Sequence, residues 1–220
     1  MKMKKLIFYF IFFFSVHNSI AQQLPFWNEI KNFKKQDSLS FPAKNQILFV
    51  GSSSFRMWSG IEKDFAGYNI INRGFGGSSL LDVIKYAEDI ILPYHPKQIA
   101  IYCGENDLAA SDTVTPEMVL NRFKSLYYLI ASAYPHVPLL FVSIKPSPSR
   151  AHLMHKMQES NKLIKRFLSK QKNTKYVDVF SKMLDNKGVP LNDIFLRDKL
   201  HMNAKGYAIW QKAILPHLIK

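Results

Sequence analysis

The sequence predicts an α/β domain built in three layers, with a parallel β-sheet between two layers of helices. Five short runs of apolar and β-branched residues are separated by longer segments with helical patterns. The runs are mostly apolar at consecutive positions, which is typical of strands buried on both faces of a parallel sheet. The alternation of strand and helix then implies right-handed crossovers, which place helices on both faces of the sheet.

The predicted elements follow one another from residue 46 to the end of the chain. The strands are predicted at 46–50 (QILFV), 68–71 (YNII), 98–103 (QIAIYC), 138–143 (PLLFVS) and 175–179 (KYVDV). The helices are predicted at 80–91, 116–134, 150–170 and 203–218. Thr115 is a suitable N-cap for the second of these helices, and Pro116 suits its first position. No repeat and no linker divides these elements, so we expect a single domain over residues 22–220.

Composition restricts the class of protein. The chain has 220 residues, 47% of them hydrophobic, which suits a folded domain and excludes a disordered or low-complexity protein. Its one cysteine excludes an internal disulfide framework and a cysteine-rich zinc site. The formal charge of +14 suggests nucleic acid at first. The basic run over 162–172, however, interleaves with apolar residues at helical spacing, as on the exposed face of an amphipathic helix. We therefore expect no nucleic-acid partner.

The first residues have the pattern of a secretory signal peptide. Three lysines within residues 1–5 precede an apolar stretch over 6–16, and Ser19 and Ala21 are small residues at the −3 and −1 positions of a cleavage site. The stretch is shorter than the ~20 residues that span a bilayer, which favours cleavage over an uncleaved membrane anchor. We predict a signal peptide over residues 1–21 and a secreted or periplasmic product without stable membrane insertion. The remaining chain keeps a charge of +11, because the signal peptide holds three lysines and no acidic residue.

Polar and glycine-rich clusters follow the first three predicted strands, and a fourth cluster precedes the last helix. They are 51–54 (GSSS), 72–78 (NRGFGGS), 104–107 (GEND) and 198–201 (DKLH). Ligands of open α/β sheets bind outside the carboxyl ends of the strands, so these clusters are the candidate site. The second cluster lacks the G-x-G-x-x-G spacing, because position 79 is Ser, and dinucleotide binding is therefore not supported.

Taken together and in this order, the clusters resemble the blocks of the SGNH (GDSL-type) hydrolase family. The segments that carry the resemblance are ILFVGSSSFRMW, NRGFGGS, GEND and DKLHMNAKGY, and it extends from residue 46 to the C-terminus. The resemblance implies a flavodoxin-like α/β/α fold with a five-stranded parallel sheet. It also implies acyl transfer from an ester to water through an acyl-serine, without a metal or a cofactor.

The resemblance also assigns roles by position. Ser53 would be the nucleophile, with Asp198 and His201 completing the triad. The imidazole accepts the serine proton, and the carboxylate fixes its tautomer and stabilises its charge. The oxyanion hole would consist of the Ser53 N–H, the Gly77 N–H and the side-chain amide of Asn106.

One position departs from the family pattern. The usual Asp before the nucleophilic serine is Ser52 here, and the three consecutive serines leave Ser54 as the alternative nucleophile. Ser53 is preferred because it keeps the G-x-S spacing after Gly51. Position 55 is Phe, so the G-x-S-x-G turn of the α/β-hydrolases is absent.

Other polar residues have simpler interpretations. His152 and His155 lie three residues apart on a predicted helix, but no acidic or thiol partner is near in sequence, so an exposed face is favoured over a metal site. Cys103 ends an apolar strand and is predicted to be a small buried side chain. Glu105 and Asp107 are expected to organise the loop around the third cluster.

The sequence thus predicts a secreted serine esterase whose partner is a small-molecule or glycan ester. Carbohydrate O-acetyl groups are the first substrate class and lysophospholipids or other lipid esters the second. The alternative from another class is a catalytically silent module that uses the charge of +11 to bind glycans or anionic polymers. The acyl group, the alcohol part and the oligomeric state stay open at this point.

Overall fold

The computed structural model describes residues 24–220, so the predicted signal peptide and its cleavage site lie outside the described residues. A five-stranded sheet forms the centre, and every neighbouring pair of strands is parallel. The strands are β1 (Ile47–Gly51), β2 (Ile70–Gly74), β3 (Gln98–Tyr102), β4 (Leu139–Val142) and β5 (Thr174–Val177). Their order is β2-β1-β3-β4-β5, which is the flavodoxin-like order. The predicted fold class is confirmed.

Helices cover both faces of this sheet. They are α1 (Trp27–Leu39), α2 (Ser53–Arg56), α3 (Ile61–Asp64), α4 (Leu80–Lys85), α5 (Ala87–Ile90), α6 (Glu105–Ala109), α7 (Pro116–Ala133), α8 (Met154–Leu168) and α9 (Ala204–Ile214). Within residues 24–220, none of them combines the length and the apolar character that a bilayer span requires.

The two faces of the sheet bury two separate hydrophobic clusters. Leu48 and Val50 of β1 point into the cluster that contains α1, α4, α5, α7 and α8, whereas Ile47 and Phe49 point into the cluster that contains α2, α3 and α9. Successive side chains of a strand point to opposite faces, so an uninterrupted apolar run is what a sheet covered on both sides requires. This is why continuously apolar runs predicted the strands well.

Each predicted strand overlaps an observed strand, with ends that differ by at most three residues. Among the helices, α7 begins as predicted: the Thr115 hydroxyl accepts a hydrogen bond from the N–H of Met118 at 3.3 Å. The prediction of a single helix over 80–91 is wrong. The segment forms two helices, α4 and α5, separated at Tyr86, where the backbone dihedral angles are not helical. The ring of Tyr86 is buried against Phe75.

Two further differences concern the ends of helices and an element that was not predicted. The start of the segment predicted over 150–170 lies in a 3₁₀ helix, Pro148–Leu153, which precedes α8. The segment predicted over 203–218 ends in another 3₁₀ helix, Leu215–His217. Helix α1 had no counterpart in the prediction. Its sequence is largely polar and Ile30 is its one fully buried residue, so it has only a weak apolar face.

Candidate active site

Three of the predicted site residues form a continuous hydrogen-bonded chain at the carboxyl end of the sheet. The Ser53 Oγ lies 3.0 Å from Nε2 of His201, and the other ring nitrogen, Nδ1, lies 2.6 Å from Oδ2 of Asp198. If Nδ1 carries the proton and donates it to the carboxylate, Nε2 is left as the acceptor for the serine hydroxyl. The hydrogen bond between Ser53 and His201 thereby joins residues that are 148 positions apart in sequence.

The loop of Asp198 and His201 holds its two side chains by local contacts. Oδ1 of Asp198 accepts hydrogen bonds from the N–H groups of Leu200 and His201, both at 3.0 Å. Lys199, the residue after Asp198, has a φ of +56°, which closes the turn. Partial burial by itself raises the pKa of the Asp198 carboxyl, but the hydrogen bonds from the His201 ring and these N–H groups outweigh it and lower the pKa to about 2. The carboxylate is therefore ionised at neutral pH.

A glycine at the end of β1 positions Ser53. Gly51 has a φ of +136°, and a Cβ there would lie 2.0 Å from the backbone oxygen of Tyr102, so a larger residue does not fit. The chain then turns directly into α2, which begins at Ser53. Of the two candidate serines, Ser53 is partly exposed and bonded to His201, whereas Ser54 is buried, with an exposure of 2%.

Two of the residues predicted for the oxyanion hole, Gly77 and Asn106, lie beside each other. A Cβ placed on Gly77 would be 3.8 Å from Nδ2 of Asn106, and Gly77 is itself exposed. Within residues 24–220, no group accepts a hydrogen bond from the N–H of Ser53 or of Gly77.

The amide of Asn106 is already hydrogen-bonded in this structure. Its Nδ2 donates to Oγ of Ser52 at 2.8 Å and to the carbonyl oxygen of Ser78 at 3.1 Å, and its Oδ1 accepts from Arg150 at 3.0 Å. Donation to an oxyanion would require the bond to Ser52 to be shared or exchanged. A neutral hydroxyl thus faces the amide at the position where the family pattern usually has an Asp.

The model of the GDSL-like lipase/acylhydrolase family matches residues 40–209, a span that contains every residue of this cluster. The chain belongs to this family. No curated protein sequence matches this acylhydrolase-family chain at a significant level.

Solved structures share the fold of this GDSL-family chain. A Streptococcus pneumonia protein provisionally described as a platelet activating factor is 22% identical, with 88% of this chain and 92% of that chain covered and a TM-score of 0.77. A GDSL-like lipase from Bacteroides thetaiotaomicron is 20% identical, with coverage of 84% and 94% and a TM-score of 0.69. A catalytic mutant of an acetylxylan esterase from Geobacillus stearothermophilus is 14% identical, with coverage of 79% and 94% and a TM-score of 0.65. At these identities the likeness establishes the fold.

In this GDSL-family chain, helix α1 supports the loop that carries Gly77. The carboxylate of Glu29 accepts a hydrogen bond from the Gly76 N–H at 3.0 Å and lies 3.7 Å from the Nε of Arg56. Gly76 has a φ of +33°, and a Cβ there would lie 2.4 Å from the ring of Phe26. A helix that precedes the residues matched by the family model thus contacts the neighbour of a proposed oxyanion donor.

The far end of α1 is attached to strand β2, which leads into this loop, by a buried ion pair. Arg73 donates to Asp37 at 2.5 Å and to the hydroxyl of Tyr94 at 2.7 Å, and 9% of its side chain is exposed. This arginine therefore joins α1 to the strand before the loop.

Sequence reasoning missed the residues that follow β4. Lys145 donates to Glu105 at 2.8 Å, Ser147 donates to the same carboxylate at 3.1 Å, and Arg150 reaches both Glu105 and Asn106. A signal was present: these residues leave the carboxyl end of a parallel strand, at the same edge as the predicted clusters. Their importance was hidden because their partners are about 40 residues away in sequence.

The remaining candidates are placed as follows. Glu105 and Asp107 are buried and organise the third cluster: Asp107 accepts from the N–H of Leu80 at 2.9 Å and from Arg122 at 2.8 Å. Cys103 is buried, as predicted, and burial raises the pKa of its thiol. Within residues 24–220, no three His, Cys, Asp or Glu side chains are grouped as a metal site would require.

Proposed function

We propose that this acylhydrolase-family chain is a serine esterase that hydrolyses small acyl esters through an acyl-enzyme on Ser53. The observation that carries the proposal is the hydrogen-bonded chain from Ser53 Oγ to His201, at 3.0 Å, and on to Asp198, at 2.6 Å. This geometry supports the roles of nucleophile for Ser53, general base for His201 and orienting carboxylate for Asp198.

In the first half of the proposed reaction, the ester bond is exchanged for an acyl-serine. The Oγ of Ser53 attacks the ester carbonyl carbon while Nε2 of His201 takes its proton, and Asp198 stabilises the resulting imidazolium. The tetrahedral intermediate then collapses, and the alcohol leaves with the proton that His201 held. In the second half, His201 deprotonates a water molecule, which attacks the acyl group. Collapse releases the carboxylic acid and returns the proton to Ser53.

The negative charge of the intermediate needs donors, and the proposed ones are the N–H groups of Ser53 and Gly77 and the Nδ2 of Asn106. The first two have no competing acceptor within residues 24–220. Asn106 would exchange its bond to the Ser52 hydroxyl for one to the oxyanion. Exchange with a neutral hydroxyl is easier than exchange with a carboxylate, since hydrogen bonds to ionised acceptors are roughly twice as strong.

For the substrate, we propose acyl groups as small as acetyl, carried on a carbohydrate. Structures with this fold include catalytic mutants of an acetylxylan esterase in which an aspartate or a serine was replaced by alanine. The candidate triad is also open: 46% of the Asp198 side chain is exposed, and a substituent on a bulky polymer can approach such a site. Lipid esters are the second substrate class. The predicted signal peptide over residues 1–21 would deliver the enzyme outside the cytoplasm.

The proposal is tested with the purified protein and two reagents. We expect turnover of p-nitrophenyl acetate, and a covalent adduct on Ser53 after treatment with a serine-reactive organophosphonate, located by peptide mass spectrometry. Ser53→Ala should abolish both signals, whereas the control Ser54→Ala should keep the adduct if it folds. A folded protein without turnover and without adduct would instead support the silent binding module.

A panel of acyl lengths and alcohol parts then separates the substrate classes. Preference for acetylated xylo-oligosaccharides over p-nitrophenyl octanoate and lysophosphatidylcholine would support the carbohydrate proposal. The reverse order of kcat/KM would replace it with the lipid-ester class.

A further inference from the structure

Both polar atoms of the Asn106 side-chain amide have hydrogen-bond partners, which hold the amide in one orientation. Nδ2 donates to Ser52 and to the carbonyl oxygen of Ser78, while Oδ1 accepts from Nη2 of Arg150 at 3.0 Å. A guanidinium only donates hydrogen bonds, so it must face the carbonyl oxygen of the amide and not its nitrogen. The arginine therefore fixes the amide with its N–H groups on the side of Ser52 and Ser78.

Arg150 is itself anchored on a buried carboxylate. Its Nη1 lies 3.4 Å from Oε1 of Glu105, and Ser147 donates to the same oxygen at 3.1 Å. The other oxygen, Oε2, accepts from the hydroxyl of Tyr102 at 2.7 Å and from Nζ of Lys145 at 2.8 Å. With Glu105 at 5% exposure and Lys145 at 1%, the anchor is shielded from water and rigid.

Both cations of this cluster act on one buried carboxylate. Glu105 lies beside Lys145 and Arg150, and the carboxylate of Asp198 is a second negative charge that interacts with Lys145. Burial by itself would raise the pKa of the Glu105 carboxyl, but the two cations and its hydrogen bonds bring the pKa below its ordinary value. The carboxylate is thus ionised and saturated with donors, and the guanidinium remains free to polarise the amide of Asn106.

We infer that Arg150 is a positioning residue of the oxyanion hole: it orients and polarises the side-chain amide of Asn106 so that Nδ2 donates more strongly in the transition state. This inference rests on the proposed esterase function. Donation to Oδ1 withdraws electron density from the amide nitrogen, so the N–H groups on the far side become better donors. The effect appears in kcat, because the negative charge develops only in the transition state.

The same loop also reaches the triad. The N–H of Ser149 donates to the carbonyl oxygen of Lys199 at 3.1 Å, between Asp198 and His201 in sequence. One short segment after β4 therefore contacts both Asn106 and the loop that carries Asp198 and His201. A substitution at Arg150 that moved this segment would act on the triad as well, so the test must separate the two routes.

A double-mutant cycle with Asn106 makes this separation. We expect Arg150→Met to lower kcat by about 10- to 100-fold, less than the loss of a direct oxyanion donor, with little change in KM. In an Asn106→Ala background, the same substitution should change kcat by less than about 2-fold, because the group through which it acts is gone. Equal fold losses in both backgrounds would overturn the inference.

Arg122 offers a matched control. Arg122 pairs at 2.8 Å with Asp107, a buried carboxylate on α6, the helix that also carries Glu105. Its side chain is 20% exposed, against 19% for Arg150, and within residues 24–220 it makes no hydrogen bond to Asn106. We expect Arg122→Met to affect the thermal midpoint but to leave kcat within about 3-fold, as a purely structural arginine would. A fall in kcat as large as that of Arg150→Met would show that loss of an ion pair, and not the amide contact, is responsible.

Two further measurements keep the test decisive. If Arg150→Met does not fold, the cycle is repeated with Arg150→Lys, which keeps a positive charge beside Glu105 but loses the planar, two-pronged donor. The esterase activities of the wild type and of Ser53→Ala are measured and compared in parallel. Equal rates for those two proteins would refute the esterase proposal itself, whereas an inactive Ser53→Ala with an additive cycle would refute only the role of Arg150.

Discussion

The two halves of the candidate site are built in opposite ways. The half that holds Asp198 and His201 is an exposed turn, in which the carboxylate is bonded to groups two and three residues away. The half that holds Asn106 is largely buried, and its partners Arg150 and Ser52 lie 44 and 54 positions away. The first half is positioned by local geometry and the second by the packing of the whole sheet edge. Chemistry and stability should therefore respond differently to mutations in the two halves.

The largest effect is expected for a substitution in the exposed half of the site, which holds Asp198 and His201. Asp198→Asn should lower kcat by about 10⁴-fold while leaving the fold intact, because the imidazole loses the partner that sets its tautomer and stabilises its charge. Turnover of p-nitrophenyl acetate and the thermal midpoint measure the two quantities. Asp193→Asn is the control, since this exposed carboxylate pairs with Lys205 and not with the site. Near-wild-type activity of Asp198→Asn would contradict the triad.

The next largest effect is expected for substitutions of Asn106, the proposed oxyanion donor in the buried half. Asn106→Ala should lower kcat by about 10²- to 10³-fold at nearly constant KM, which is the usual loss for one oxyanion donor. Asn106→Asp should lose at least as much activity, because it keeps an oxygen toward Arg150 but replaces the N–H donor with an acceptor. A loss confined to KM would indicate that Asn106 contacts the ground-state substrate instead.

A third prediction concerns the contribution of the buried half to the free energy of unfolding. Glu105→Gln leaves the charges of Lys145 and Arg150 buried without their carboxylate, so we expect a loss of about 3–5 kcal/mol in the free energy of unfolding. Urea denaturation measures this loss. Glu159→Gln removes a carboxylate that pairs with Lys162 on the surface, and it should cost less than about 1 kcal/mol. Similar losses for both variants would mean that the buried cluster is not a structural anchor.

The smallest expected effect is the pH dependence contributed by Asp198. Its pKa in the folded protein is about 2, below the value of about 3.9 expected for an unfolded chain. A lowered folded pKa stabilises the protein above the unfolded pKa, and this contribution is lost as pH falls through the folded one. The stability difference between wild type and Asp198→Asn should therefore be constant above about pH 5 and shrink from about pH 4 toward pH 2. A difference that grew on acidification would contradict the lowered pKa.

The difference between local contacts and contacts of distant residues also explains which features could be predicted from the sequence. The strands were found because burial on both faces demands continuous apolar runs, and the spacing of Asp198 and His201 marked a turn. The interruption at Tyr86 was missed because the ring is buried by residues outside its own helix. Helix α1 was missed because its attachments are polar contacts to distant residues, such as Glu29 to Gly76.

The sequence by itself determined the α/β class, the parallel sheet and the four segments that carry the candidate site. Each of these depends on residues that are close in sequence, such as the side-chain period of a strand or the glycine that a turn requires. Only the tertiary structure decided that Ser53 and not Ser54 faces His201, and that Arg150 holds the amide of Asn106. The physical reason is that a hydrogen bond depends on distance and direction in space, and the crossovers of the parallel sheet set both for residues that are far apart in the chain.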